Sequence, residues 1–230
     1  MTFQDRCRQA AREYLQTVVV IDDRLWEDYA ADEPKRLKPP GISGPDGESR
    51  GPAAATQKCT SMNSAVNTHR IADGFAAAGL VCGLIEPSPG QPLARHVIKA
   101  VARADVVILD WDLGETDACV GDMASGLLAA ISHDDSVGQI RRRRLFILYT
   151  GHAQDANRIR EKISKTADGI DWRENSGYTT ATGLHLQLWA KGTSAPSGIP
   201  NVSEADLAER VVAAFAGLSQ GLLGNVVLSG

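Results

Sequence analysis

No uninterrupted apolar stretch in the 230 residues reaches the length of roughly 18 that crosses a bilayer, so the chain has no candidate membrane-spanning helix. Positive charge is not in excess either. Lys plus Arg number 24 against 28 Asp plus Glu, and the net charge of −4 removes the usual electrostatic footprint of a nucleic-acid binder. Cysteines are few and scattered: Cys7, Cys59, Cys82 and Cys119 show no CxxC spacing and no His at zinc-ligand spacing, which argues against both a zinc site and a disulfide framework. A signal peptide is missing too, because Met1 to Leu15 is interrupted by Asp5, Arg6, Arg8, Arg12 and Glu13. The expectation is a cytoplasmic, soluble protein with no membrane partner and no direct nucleic-acid partner. What is present is ordinary globular composition, 43% hydrophobic and 23% charged, in a length that suits one domain with a small appendage.

Hydrophobic periodicity divides the chain into alternating elements. Residues Phe3 to Gln16 carry Cys7, Ala10, Ala11, Tyr14 and Leu15 at helical spacing, and the β-branched run Thr17-Val18-Val19-Val20-Ile21 follows as a buried strand that stops at Asp22-Asp23. A segment at about 33–60 is crowded with Pro and Gly and reads as an insertion. Asn63 to Ala78 reads as a helix closed by Gly79, with a strand at Leu80 to Ile85. Pro92 opens another helix, and Asp105 to Leu109 forms a strand closed by Asp110. Asp122 to Ser132 and Asp155 to Lys165 read as helices on either side of a strand at Leu145 to Gly151. The 166–183 segment is polar, a loop or an added hairpin. Leu184 to Lys191 is a fifth strand, and Ser203 starts the closing helix.

This alternation predicts an α/β fold, a doubly wound five-stranded parallel sheet in the order 2-1-3-4-5 with helices on both faces. Expected organisation is a helical extension at 1–16, the sheet domain at 17–218 with insertions at about 33–60 and 166–183, and an apolar tail or linker at 219–230. Parallel strands gather their carboxyl ends on one edge, where open α/β sheets bind ligands. The residues closing the strands there are Asp22, Asp23, Asp110, Thr150 and Lys191. Carboxylates converging from two strands are costly unless a cation is present or one keeps its proton. Oxygen-only ligands favour Mg²⁺ or Mn²⁺, and a Thr150 hydroxyl with a Lys191 ammonium would complete a cradle for phosphoryl oxygens.

In this order and at these strand positions, Ile21-Asp22-Asp23, Leu109-Asp110-Trp111-Asp112, Tyr149-Thr150-Gly151 and Ala190-Lys191 resemble the response-regulator receiver domain, the flavodoxin-like module of two-component signalling. The resemblance runs from about Thr17 to Leu218. It implies Asp110 as phosphoacceptor, Asp22 and Asp23 as Mg²⁺ ligands, and Asp112 as a donor of its backbone carbonyl to the metal. It also implies Thr150 as the switch hydroxyl and Lys191 as partner of the phosphoryl group. The implied function is a phosphoacceptor loaded by a histidine kinase or phosphotransfer protein, not a turnover enzyme, acting on an output domain, a partner or a second copy of itself. The chain departs from the family at Leu188, where an aromatic residue is usual, and at Gly192, where proline is usual. Its intervals are long, 110 − 22 = 88 and 191 − 150 = 41.

Two other readings use the same residues. Asp110-Trp111-Asp112-Leu113 also resembles the nucleophile motif of haloacid-dehalogenase-like phosphatases, but there the acidic pair follows the lysine, whereas Asp22-Asp23 precedes it. A pseudo-receiver that keeps the fold as a protein-interaction module would form no phosphoryl adduct. The run Arg141-Arg142-Arg143-Arg144 reads as a solvated, partly salt-bridged loop, His152, two residues past Thr150, as an ordinary loop histidine in preference to one that touches the site, and Trp111 as a lid over the pocket.

Overall fold

A computed structural model describes residues 2–25, 67–88, 95–114, 119–137, 143–166, 170–179, 183–192 and 195–227. The chain opens with α1 (Phe3–Tyr14), capped by Thr2, whose hydroxyl accepts from the Asp5 amide while the Asp5 carboxylate accepts from the Thr2 amide. The strand β1 (Thr17–Ile21) follows, then α2 (Thr68–Ala77), β2 (Val81–Ile85), α3 (Arg95–Val101), β3 (Val106–Leu109), α4 (Asp122–Val137) and β4 (Arg144–Thr150). Beyond a 3-10 turn come α5 (Ala156–Thr166), β5 (Asp171–Arg173), β6 (Ser176–Tyr178), β7 (Leu184–Ala190), a second 3-10 turn and α6 (Leu207–Val227). The insertion expected at about 33–60 and the helix start at Pro92 lie outside the described residues.

The sheet has seven strands, ordered β2-β1-β3-β4-β7-β6-β5, where five were expected. The five parallel strands stand in the 2-1-3-4-5 order, and the two additional strands form an antiparallel hairpin on the outer side of β7. Three-residue strands are too short to display a period-two pattern, so the polar 166–183 segment conceals its hairpin. The hairpin pairs Gly177 with Leu186 and covers an edge of β7 that would otherwise offer unpaired backbone groups.

Alternation along the strands builds two cores, since successive side chains point to opposite faces. Val19, Ile21, Val107, Leu109, Phe146 and Leu148 pack on one face with Val97 and Val101 of α3, Leu127 and Ile131 of α4, and Ile159 and Ile163 of α5. Val18, Val20, Val106, Ile108, Leu145 and Ile147 pack on the other with Leu15, Ile71 and Phe75 of α2, and Val211, Val212 and Phe215 of α6. The sheet is therefore doubly wound, and α1 lies against α6, where Tyr14 stacks on Phe215 with ring centroids 5.5 Å apart.

Two expectations change here. Arg144 is not a loop residue: it opens β4, is 1% exposed, and its guanidinium donates to the Ala102 carbonyl at 2.7 Å. Arg143 is exposed, and Arg141 and Arg142 lie outside the described residues. At the other end of the chain, α6 continues as helix to Val227, through the segment expected to be a tail. No helix among the described residues is long and apolar enough to cross a membrane.

Candidate functional site

Parallel register decides which residues meet at the carboxyl edge. Ile21 pairs with Leu109, so Asp22 and Asp110 are the first residues beyond the last pair of β1 and β3. The Asp110 amide still donates to the Ile21 carbonyl at 2.9 Å, and the Asp22 amide donates to Ile85 at 3.2 Å, so both backbones are fixed as they leave the sheet. In the neighbouring pair, Thr150 is opposite Ala190, and the Lys191 amide donates to the Thr150 carbonyl at 2.9 Å. Four separated stretches of chain thus deliver their terminal side chains to one rim.

The Lys191 ammonium binds two of the carboxylates at once, donating to Asp22 Oδ2 at 2.5 Å and to Asp110 Oδ2 at 2.6 Å. Each acid is also held by backbone: Asp22 Oδ1 accepts from the Arg24 amide at 2.9 Å, and Asp110 Oδ1 from the Trp111 amide at 2.7 Å. Carboxylate oxygens of Asp22, Asp23 and Asp110 all lie within 4.8 Å of one another. Thr150 is fully buried, its hydroxyl oxygen accepting from the His152 amide at 3.0 Å. Asp22, Arg24, Asp110, Asp112, Gly151, His152 and Lys191 line a small pocket at this edge.

Charge crowding sets the electrostatics. Burial, reinforced by Asp110 and Asp22, pushes the Asp23 carboxyl up to about 7. Asp110 is raised as well, chiefly by burial, with the Lys191 charge working against that rise. Burial alone would lower Lys191, but the Asp110 and Asp22 charges outweigh it and hold the ammonium above its ordinary value. Three acids against one lysine leave an excess of negative charge, and among the described residues Asp23 Oδ1 and Asp112 Oδ1 are buried with no hydrogen-bond partner. An all-oxygen donor set with an orphaned, buried carboxylate oxygen fits a hard divalent cation such as Mg²⁺ or Mn²⁺, held by Asp22, Asp23 and Asp110.

All of the strand-end residues named from sequence therefore stand at one edge, with Asp112 contributing its side chain to the pocket wall. Three others were assigned no role from sequence. Arg24 and Gly151 line the pocket, and His152 does so with its Nε2 3.6 Å from Asp112 Oδ2, not as a bystander in a loop. Each lies one to three residues beyond a strand end, and that proximity was the available signal. Trp111 is not a lid: it is 3% exposed, packed in the core against Gly121, with the Lys162 ammonium 5.9 Å from its ring centroid. Its place beside the acceptor loop follows from sequence, but the direction of its ring follows from the side-chain-free space that Gly121 leaves.

Fold and site together define a doubly wound α/β protein with an acidic, lysine-closed pocket at the carboxyl edge of its sheet. A family model described as the response receiver domain matches residues 14–194. The chain thus belongs to the response receiver domain family, the phosphoacceptor modules of two-component signalling, which typically bind Mg²⁺. No curated protein and no solved structure matches it.

Proposed function

We propose that Asp110 is the phosphoacceptor, loaded by a histidine kinase or phosphotransfer protein in a Mg²⁺-dependent or Mn²⁺-dependent manner. The observation that carries this reading is the Lys191 ammonium shared by Asp22 and Asp110, a cation already seated where phosphoryl oxygens would arrive. The Asp110 carboxylate attacks phosphorus. Its oxygen–phosphorus bond forms as the phosphorus–nitrogen bond of the donor imidazole breaks, and the electron pair stays on that nitrogen, which takes its proton from solvent. A divalent cation held by Asp22, Asp23 and Asp110, with the Asp112 carbonyl as a further ligand, would supply the positive charge that lets carboxylates and phosphoryl oxygens share the site.

The protein's own groups orient and neutralise. The Trp111 amide holds one oxygen of Asp110, which fixes the rotamer of the other. Lys191 offsets part of the cost of burying the Asp110 charge and then meets the incoming charge. Thr150, one residue before the pocket wall, is the hydroxyl donor on this reading. The site is a single-use acceptor and not a turnover enzyme.

Incubation with acetyl phosphate and Mg²⁺ followed by intact mass spectrometry tests the proposal. One phosphoryl adduct is expected, absent in Asp110→Asn and suppressed by chelation. No adduct on the wild-type chain would make it an interaction module, and many turnovers of an aryl phosphate would make it a phosphatase.

A further inference from the structure

We propose that Tyr149 is a positioning residue that couples the Lys191 ammonium to the amino end of α6 and, through Glu204, to the start of α2. The inference rests on the phosphoacceptor reading of the same pocket and deepens it by naming where a change at Asp110 is felt.

Tyr149 lies in β4 opposite Trp189 of β7, one residue before Thr150, and is 3% exposed. Its side chain falls on the α1, α2 and α6 face of the sheet. The ring centroid is 5.5 Å from Lys191 Nζ, within the range where a cation is drawn to an aromatic face. At the far end of the same ring, the hydroxyl donates to the Val202 carbonyl at 2.8 Å. One rigid, buried side chain therefore has the pocket cation over its ring and a loop carbonyl on its hydroxyl.

That loop is joined to the site by a second route. The Ala190 amide donates to the Pro200 carbonyl at 2.9 Å and the Val202 amide to the Ala190 carbonyl at 3.2 Å, so 200–202 runs beside the end of β7, next to Lys191. Ser203 then caps the 3-10 turn Glu204–Asp206, and α6 begins at Leu207. Glu204 Oε1 accepts from the Asn67 amide at 3.1 Å, and Asn67 is the N-cap of α2. Burial, aided by the nearby Glu204 charge, holds the Tyr149 phenol well above its ordinary value, so it remains a neutral donor.

The driving event is a displacement of charge. Unphosphorylated, Lys191 is anchored between Asp22 and Asp110. Phosphorylation of Asp110 removes that carboxylate charge and places about −1.5 to −2 charges on phosphoryl oxygens beyond it, and the ammonium follows. The ring loses or changes its cation contact, and the hydroxyl carries the change to Val202. Leu188, at the position where the family usually has an aromatic residue, is fully buried in the core of the opposite face. Among the described residues, the aromatic ring that lies under the Lys191 ammonium is that of Tyr149.

Hydrogen exchange by mass spectrometry on the full chain, before and after acetyl phosphate with Mg²⁺, provides the test. Adduct mass is measured on the same samples. In the wild type, phosphorylation is expected to change exchange in peptides covering 200–212 and 67–71 by about fivefold or more. Tyr149→Phe keeps the ring and cuts the tether: the adduct forms, and the phosphorylation-dependent change at 200–212 is lost. A purely structural role would shift exchange equally with and without the donor. Glu204→Ala, which leaves the tyrosine intact, is expected to lose the change at 67–71 alone. An adduct without any change at 200–212, or a full change retained in Tyr149→Phe, overturns the inference while leaving the phosphoacceptor reading standing. Absence of the adduct from the wild type removes both.

Discussion

At the scale of single residues, the pocket depends on one ammonium offsetting acids that could not otherwise stay charged side by side. Lys191 lies 2.5 Å from Asp22 and 2.6 Å from Asp110, with side chains 12%, 3% and 12% exposed respectively. Lys191→Met leaves two buried carboxylates uncompensated and is expected to cost about 3–5 kcal/mol in metal-free buffer at pH 8. Adding Asp110→Asn to that variant is expected to recover part of the loss, and a denaturant-melt double-mutant cycle measures the coupling. Additive costs would show that the two groups do not interact. Asp23 offers a pH signature. Its folded value is raised to about 7, so the stability it contributes is present below its unfolded value of about 4 and is lost as pH rises through 7. Metal-free wild type should therefore lose melting temperature relative to Asp23→Asn between pH 5.5 and 8. Mg²⁺ should raise the wild-type melting temperature more at pH 8 than at pH 5.5, because protons compete for the same oxygens. Parallel pH profiles for the two proteins would contradict this.

At the scale of elements, the loop after β3 is shaped by a glycine. Gly121 has φ of +82, and a Cβ there would overlap the Trp111 ring. Gly121→Ala therefore meets both backbone strain and overpacking, and is expected to destabilise by about 2–4 kcal/mol. Gly126, on the exposed side of α4 with open space around it, gives the opposite sign: Gly126→Ala should stabilise by about 0.5–1 kcal/mol. Thermal melts of the two variants check both signs. The same elements show why some structure was legible and some was not. β1, β3 and β4 announce themselves as β-branched or apolar runs because both their faces are buried. The end of α6 did not: Gly217, Gly221 and Gly224 each weaken a helix by about 1 kcal/mol in intrinsic terms, yet the helix runs on to Val227. Arg144 misled for a related reason, since its charge suggests solvent while the Ala102 carbonyl receives it inside.

At the scale of the molecule, the topology does the assembling. Once strands are parallel and alternate with helices, their carboxyl ends must share an edge, so Asp22, Asp110, Thr150 and Lys191 could be grouped from sequence although up to 169 residues separate them. Tyr149 could not be singled out in this way. Its meaning depends on Val202, 53 residues later, doubling back along β7, which no local pattern announces. The pocket is connected through Lys191 to the α1, α2 and α6 layer, the layer that Tyr149 enters. The phosphoacceptor function rests on the chemical identity of the group that receives phosphorus. Borohydride reduction of protein treated with acetyl phosphate and Mg²⁺, followed by peptide sequencing, reads that identity directly, because an aspartyl phosphate is reduced to homoserine. Homoserine at position 110, and at no other aspartate, is the result predicted here; an unreduced Asp110, or homoserine at another position, would contradict it.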